Sequence, residues 1–267
     1  MNRTAILTGV GVIAAGSALT ALLAPDTTPE PAAPAAQEES QAAPAAAATE
    51  DAAFGARVRD YLLENPEVIF EAVAIMEQRQ QDLQSANDGD LISQNADAIF
   101  DDGHSWVGGN PEGDVTIVEF MDYRCGYCRR AFPEVEELIA TDGNIRIIVK
   151  EFPILGEEST IAARFAIAAQ QQLGDEAYKA IHDAMMTYKG DMAIPALTRL
   201  AEALELDAEA ITAHMDDDAV SQVIAENQAL GRALQISGTP SFIMEDQILR
   251  GYIPLEGMQE IVDDIRG

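Results

Sequence analysis

The feature that most constrains this chain is an apolar run leading into a closely spaced cysteine pair. Val115 to Met121 is apolar except for Thr116 and Glu119, as expected for a central strand covered on both faces. Cys125-Gly126-Tyr127-Cys128 follows. The sequence predicts a helix from about Gly126 to Ala140, ended by Asp142-Gly143-Asn144. Ile145 to Lys150 reads as a second strand. Strand, helix and strand in this order imply parallel pairing through a right-handed crossover. The chain is therefore expected to be an α/β protein with its cysteines directly after a central strand.

A cysteine in the first turn of a helix meets unpaired backbone N–H groups and the positive helix end. Both favour the thiolate, which is the nucleophile of disulfide exchange. Arg124, Arg129 and Arg130 are expected to add positive charge nearby. Cys125, nearer the helix end, is expected to attack. Cys128, one turn deeper, is expected to resolve the mixed disulfide. There are only two cysteines, too few for a secreted scaffold held by disulfides.

Other uses of the pair can be weighed. A structural zinc site needs about four ligands, and the three histidines, His104, His182 and His214, show no ligand spacing; no metal is expected. A purely structural disulfide would close a very small loop and stabilise little. Copper carriage, or a thiol chaperone without catalysis, stays open beside redox exchange. Along the strand, Ile117, Glu119 and Met121 alternate with Thr116, Val118 and Phe120. With both faces covered, Glu119 is a buried acid able to trade protons with a thiol; at a sheet edge it would simply sit in water.

The net charge is -30, which argues against nucleic acid or anionic lipid as partners. Residues 1–24 carry one early cation, Arg3, and then an uncharged run from Thr4 to Ala24. This is a signal peptide or, uncleaved, a membrane anchor, and either places the remainder outside the cytosol. Residues 25–53 are rich in Pro and Ala without apolar periodicity and are expected to form a disordered linker.

Residues 54–100 read as a helical extension. Phe54, Val58, Tyr61 and Leu62 share one face. Asn65 is expected to cap a second helix that starts at Pro66, carries Ile69, Ala72, Val73, Met76 and Leu83, and fades near Asn87-Asp88-Gly89. Leu91 to Phe100 adds a further turn or two. Ile69, Met76 and Leu83 recur every seventh residue, as in a coiled-coil seam, so residues 54–95 are a candidate module for homo-oligomers. Gly108-Gly109-Asn110-Pro111 and Gly113 read as turns. Residues from about 157 to 235 read as several helices. Ser241–Glu245 and Gln247–Tyr252 form a hairpin, and Pro254 opens a last helix.

The run Val118 to Arg130, the run Lys150-Glu151-Phe152-Pro153-Ile154-Leu155-Gly156 and the run Ser237-Gly238-Thr239-Pro240-Ser241-Phe242 together resemble the DsbA-like family of disulfide oxidoreductases. The likeness spans about Ser105 to Gly267. It implies a thioredoxin fold with an inserted helical domain in residues 101–267. It also implies a cis Thr239-Pro240 bond beside the cysteines, Glu119 as the family's buried acid, and Pro133 as the kinking proline of the active-site helix. Thr239, Pro240, Gly126 and Tyr127 would contact substrate. Lys150 is a candidate neighbour of Glu119. The N-terminal run Tyr61 to Glu67 resembles the suppressor-of-copper-sensitivity C subgroup. The resemblance implies an enzyme that forms, reduces or isomerises disulfides in exported proteins of the periplasm. Its cofactor would be no more than the Cys125–Cys128 disulfide, its substrates unfolded or misoxidised exported proteins, and a membrane redox partner would recycle it. Tyr127 cannot carry the positive charge of the histidine found between the cysteines of the best-known oxidase, which argues against a very strong oxidant.

Overall fold

The computed structural model describes residues 43–267. The targeting segment, residues 1–24, lies outside the described residues, as does the tether up to residue 42. The chain divides into a unit ending at Asn65 and a unit from Pro66 to Gly267.

In the first unit, helix α1 spans Ala43–Glu64. It replaces the expected disorder of residues 43–53, because an alanine run carries the strongest intrinsic helix preference and loses no side-chain entropy. Phe54, Tyr61 and Leu63 are exposed on it. Asn65 does not cap the next helix. Its side-chain amide and its backbone N–H both donate to the Tyr61 carbonyl, at 2.9 and 2.8 Å, and close α1 instead.

The second unit opens with α2, Glu67–Gln94, and α3, Ala96–Phe100. Helix α2 does not fade at Asn87-Asp88-Gly89. Asp88 is buried and takes both guanidinium nitrogens of Arg250, at 2.8 and 2.9 Å. A paired carboxylate of this kind holds the helix through a weak stretch. Beyond it, Ile92 and Ile99 enter a core cluster with Phe120, Ile148 and Ile243.

There follow β1 (Trp106–Gly109), β2 (Val115–Met121), α4 (Gly126–Asp142) and β3 (Ile145–Glu151). Five helices, α5 (Glu157–Leu173), α6 (Asp175–Thr187), α7 (Ile194–Ala203), α8 (Ala208–His214) and α9 (Asp218–Ala233), come before β4 (Ser241–Met244), β5 (Gln247–Arg250) and α10 (Leu255–Arg266). The sheet order is β1-β3-β2-β4-β5. β2 and β3 pair in parallel, and every other pairing is antiparallel. This is the mixed α/β architecture of a thioredoxin fold with helices inserted between its two halves.

Strand β1 stands where turns were expected. Its two glycines conceal it, yet each has a packing reason. A side chain at Gly108 would strike the indole of Trp106, and one at Gly109 would strike the carbonyl oxygen of Ile145. Register decides the two sheet faces. Val115, Ile117, Met121, Ile145, Ile147 and Val149 join a core with Cys125 and Cys128. Val118, Phe120 and Ile148 point the other way. Glu119 therefore lies on the cysteine face and is buried.

Gly109 also has a φ of 68°, a conformation that side chains with a Cβ resist. Gly109→Ala is expected to destabilise the protein by about 2 kcal/mol or more, read as a lower urea midpoint. An unchanged midpoint would show that β1 tolerates a shift away from β3.

Candidate active site

Strand β2 delivers the chain to a tight turn that Asp122 fixes. One carboxylate oxygen of Asp122 accepts the Arg124 N–H at 2.7 Å, an Asx-type turn. The other accepts the N–H groups of Ile154 and Leu155, at 2.8 and 3.1 Å. Asp122 is 1% exposed, so this joint between the cysteine turn and the segment after β3 is shielded from water. Its signal in the sequence is a lone Asp just past a strand.

Cys125 then serves as N-cap of α4, with its Sγ accepting from the Cys128 N–H at 3.4 Å. The same sulfur donates to the Thr239 carbonyl at 3.1 Å. The Thr239–Pro240 bond is cis. The structure thus brings Cys125, Cys128, Thr239 and Pro240 together. Cys128 is fully enclosed, whereas Cys125 keeps 6% exposure. A Cβ on Gly126 would meet nothing within 4 Å, so the approach to Cys125 over Gly126 is open.

Tyr127 is 61% exposed and stacks on Tyr252, with ring centroids 6.1 Å apart. The Arg130 guanidinium lies over the Tyr252 ring at 4.5 Å, and Tyr252 donates to Glu134 at 2.6 Å. Tyr252, just beyond β5, completes this rim; nothing in its local sequence marked it, because only the fold brings it to the cysteines.

The electrostatics differ from the expectation of an arginine-activated thiol. The Cys125 pKa falls to about 5, chiefly through the hydrogen bond from the Cys128 thiol, helped by Thr239 and by the N–H groups of Cys128 and Tyr127. The arginines are engaged elsewhere. Arg129 donates to the carbonyls of Tyr123, Tyr188 and Met185, Arg124 pairs with Glu158 at 3.1 Å, and Arg130 covers Tyr252. Burial, and then the Cys125 sulfur it serves, push the Cys128 thiol far up.

Glu119 sits beneath the pair with its pKa raised to about 8 by burial, Glu136 and Cys125. Its Oε1 is buried without a hydrogen-bond partner. Lys150 is not its neighbour. Glu119 is paired in register with Val149, and Lys150 points to the opposite face, where its ammonium donates to Asp102 and to the Ala98 carbonyl. The arrangement holds one thiol ready as thiolate, a second as thiol, and an acid that keeps its proton at neutral pH.

The model of the thioredoxin family matches residues 101–264. A second model, described as the copper resistance protein ScsC N-terminal domain, matches residues 50–82. Among solved structures, a thioredoxin-like oxidoreductase from Silicibacter pomeroyi is 44% identical, with 64% of this chain and 98% of that one covered at a TM-score of 0.61. The thiol-disulfide exchange protein alpha-DsbA2 from Wolbachia pipientis is 30% identical, covering 68% and 98% at 0.64. BcfH from Salmonella enterica Typhimurium is 27% identical, covering 84% and 99% at 0.66. Among curated proteins, a Na(+)/H(+) antiporter NhaA from Salinispora arenicola is 31% identical over 157 residues, 58% of this chain. The chain spans only 24% of that relative's length.

If the Cys128 thiol is the main support of the Cys125 thiolate, Cys128→Ala raises the Cys125 pKa well above 5. Thiolate absorbance at 240 nm against pH, compared with Cys125→Ala as blank, reads the shift. A Cys125 that still titrates near 5 in the variant would assign the activation to the helix end alone.

Proposed function

We propose, on the premise that this chain belongs to the thioredoxin family as a DsbA-like member near the ScsC proteins, that it is a thiol–disulfide oxidoreductase that donates and reshuffles disulfides in exported proteins. The observation that carries this reading is the split within the pair. Cys125 is held near pKa 5, while Cys128 is pushed far up.

A substrate thiolate approaches over Gly126 and attacks the Cys125 sulfur of the Cys125–Cys128 disulfide. The bond between the cysteines breaks, and Cys128 leaves with the electron pair. Glu119, protonated at neutral pH, gives its proton to Cys128. A second substrate thiolate then attacks the substrate sulfur of the mixed disulfide. The substrate disulfide forms, and Cys125 departs as a thiolate that the fold already stabilises. A stabilised leaving thiolate makes the enzyme's disulfide easier to reduce and hence more oxidising. Run in reverse, the Cys125 thiolate opens a wrong substrate disulfide, which is the entry to isomerisation. The rim of Tyr127 and Tyr252 and the Thr239–Pro240 loop flank the sulfur, where an extended substrate strand would lie.

The uncharged run Thr4–Ala24 supports export to the periplasm. Among the described residues no helix is long and apolar enough to cross a membrane. A separate membrane protein would reoxidise the pair. Association of several copies would let neighbouring Cys125 sites attack one misfolded chain repeatedly. Ile69, Met76 and Leu83 support it, because all three are more than 50% exposed or at that level, an arrangement that leaves an apolar seam in water.

The equilibrium with glutathione tests the redox reading. The pair is expected to be largely reduced by millimolar glutathione, and Cys125→Ser to lose all exchange with scrambled ribonuclease. A disulfide that resists glutathione, as a structural one does, would overturn the proposal. Association is tested by Met76→Asp with Leu83→Asp in the full chain. Light scattering should fall to the monomer mass, and repair of scrambled ribonuclease should fall several-fold while simple dithiol oxidation persists. A wild-type protein that is already a monomer would contradict it.

A further inference from the structure

The exchange uses groups on β2, on the cysteine turn and on the Thr239–Pro240 loop. The same sheet face carries a second buried carboxyl that the exchange does not use. Glu151, the last residue of β3, is 3% exposed. Its register partner is Met121, while Glu119 stands opposite Val149. Glu119 and Glu151 are thus diagonal neighbours on one face, and besides burial the charge of Glu119 helps to raise the Glu151 pKa.

Glu151 is tied to the cysteine turn and to the helical insertion at once. Its Oε1 accepts the hydroxyls of Tyr123 and Tyr178, each at 2.7 Å. The Tyr123 hydroxyl also meets His182 Nδ1 at 3.1 Å. Tyr123 lies two residues before Cys125; Tyr178 and His182 lie on α6. From α9, Asn227 donates to the Glu151 backbone carbonyl at 3.1 Å. The other carboxyl oxygen, Oε2, is buried without a partner.

The charged and titratable groups around Glu151 are Glu119 on β2, Asp122 and Tyr123 in the turn, and Tyr178 and His182 on α6. Among the described residues no cation pairs with Glu151, and of these groups Lys179 acts only on His182, whose charged form it disfavours. Lys150 faces the opposite side and pairs with Asp102, and Lys179 on α6 pairs with Glu136 and Asp183. Burial keeps His182 neutral, with its pKa lowered to about 3.

We propose that Glu151 is a second, redox-linked proton site of the Cys125–Cys128 pair, a positioning residue that acts through Tyr123 and Glu119 without touching sulfur. The inference rests on the oxidoreductase reading. Reduction of the disulfide by a dithiol moves two electrons and frees two protons. One proton goes to the Cys128 sulfur. Cys125 stays a thiolate, so the second proton is left over. The new negative charge at Cys125 raises the proton affinity of the nearby carboxyls. Where Glu119 and Glu151 are partly ionised, they take up that second proton; on oxidation they release it. Burial already holds the Glu151 pKa near 8 against the lowering effect of its two tyrosine donors, so the coupling falls close to neutral pH.

The test compares the full-length protein with Glu151→Gln and Tyr178→Phe. The glutathione equilibrium is measured from pH 6 to 9, and the emission of Trp106 is followed over the same range in both redox states. Trp106 is the single tryptophan and stacks on Tyr178 at 5.8 Å, which in turn stacks on His182 at 5.7 Å. In the wild type, the equilibrium constant should rise several-fold less between pH 7 and 9 than in Glu151→Gln, because the carboxyl takes up a proton that the variant releases to solvent. The Trp106 transition should lie at higher pH in the reduced state and vanish in Glu151→Gln. Tyr178→Phe removes a bond that favours the carboxylate, so the same transition should move to higher pH. In Glu151→Gln, the Cys125 titration near 5 should persist. Superimposed glutathione curves for the wild type and Glu151→Gln would overturn the proton site, whatever Trp106 does. A wild type that does not exchange with glutathione at all would instead overturn the oxidoreductase reading beneath it.

Discussion

The interaction on which the rest depends is the hold of the first turn of α4 on the Cys125 sulfur. A helix must leave its first N–H groups unpaired, and here a sulfur takes the place of the usual capping oxygen. Cys128 supplies both its N–H and its thiol to that sulfur. Everything around the turn serves to keep the sulfur there. β2 points the chain at it, Asp122 locks the bend, and the Thr239–Pro240 loop closes over it from the other half of the sheet. The spacing of two residues between the cysteines is then a helical necessity, since only the residue one turn on can reach back to the cap.

The second theme is where the charge does not go. The chain is acidic, yet the cations nearest the cysteines are engaged by groups other than the sulfurs, with Arg130 on the Tyr252 rim. Arg129 is spent on backbone carbonyls, Arg124 on Glu158, and Lys150 on Asp102 beneath the sheet's far face. Two carboxyls, Glu119 and Glu151, remain buried on the cysteine face without an ion pair. Desolvation then keeps their protons on at neutral pH. The site therefore stores protons where a more basic site would store positive charge, and its acid–base work follows from burial more than from neighbouring ions.

Much of this was legible in the sequence, and the failures have physical reasons. β2, α4 and β3 were readable because burial on both faces leaves unbroken apolar runs and because helix ends carry their own signals. Glu119 stood out as a single acid in such a run. The Thr239–Pro240 loop was readable only through the family likeness, since nothing local distinguishes a proline that lies beside a sulfur more than a hundred residues earlier. β1 was missed because its glycines are there to admit Trp106 and the Ile145 carbonyl, contacts that only the folded sheet creates. The early start of α1 was missed because an alanine run has no apolar face to read. The continuation of α2 through Asp88 depends on Arg250, and the roles of Tyr252 and Glu151 depend on tertiary neighbours in the same way. The arginines beside the cysteines misled for a different reason: they stay close, but their guanidinium groups are held by Glu158, by backbone carbonyls and by the Tyr252 ring.

The central claim is that the folded protein prefers the Cys125 thiolate, and the most direct measurement of it is the stability of the reduced protein against the oxidised one as pH changes. A thiol whose pKa falls from 9.0 in the unfolded chain to about 5 in the fold stabilises the reduced state fully above pH 9. That contribution shrinks as pH falls and is gone below about 5. Urea unfolding at pH 7 should therefore show the reduced protein to be the more stable form, with the advantage fading towards pH 5. An oxidised protein that is the more stable form at pH 7, or a difference that does not change with pH, would contradict the account.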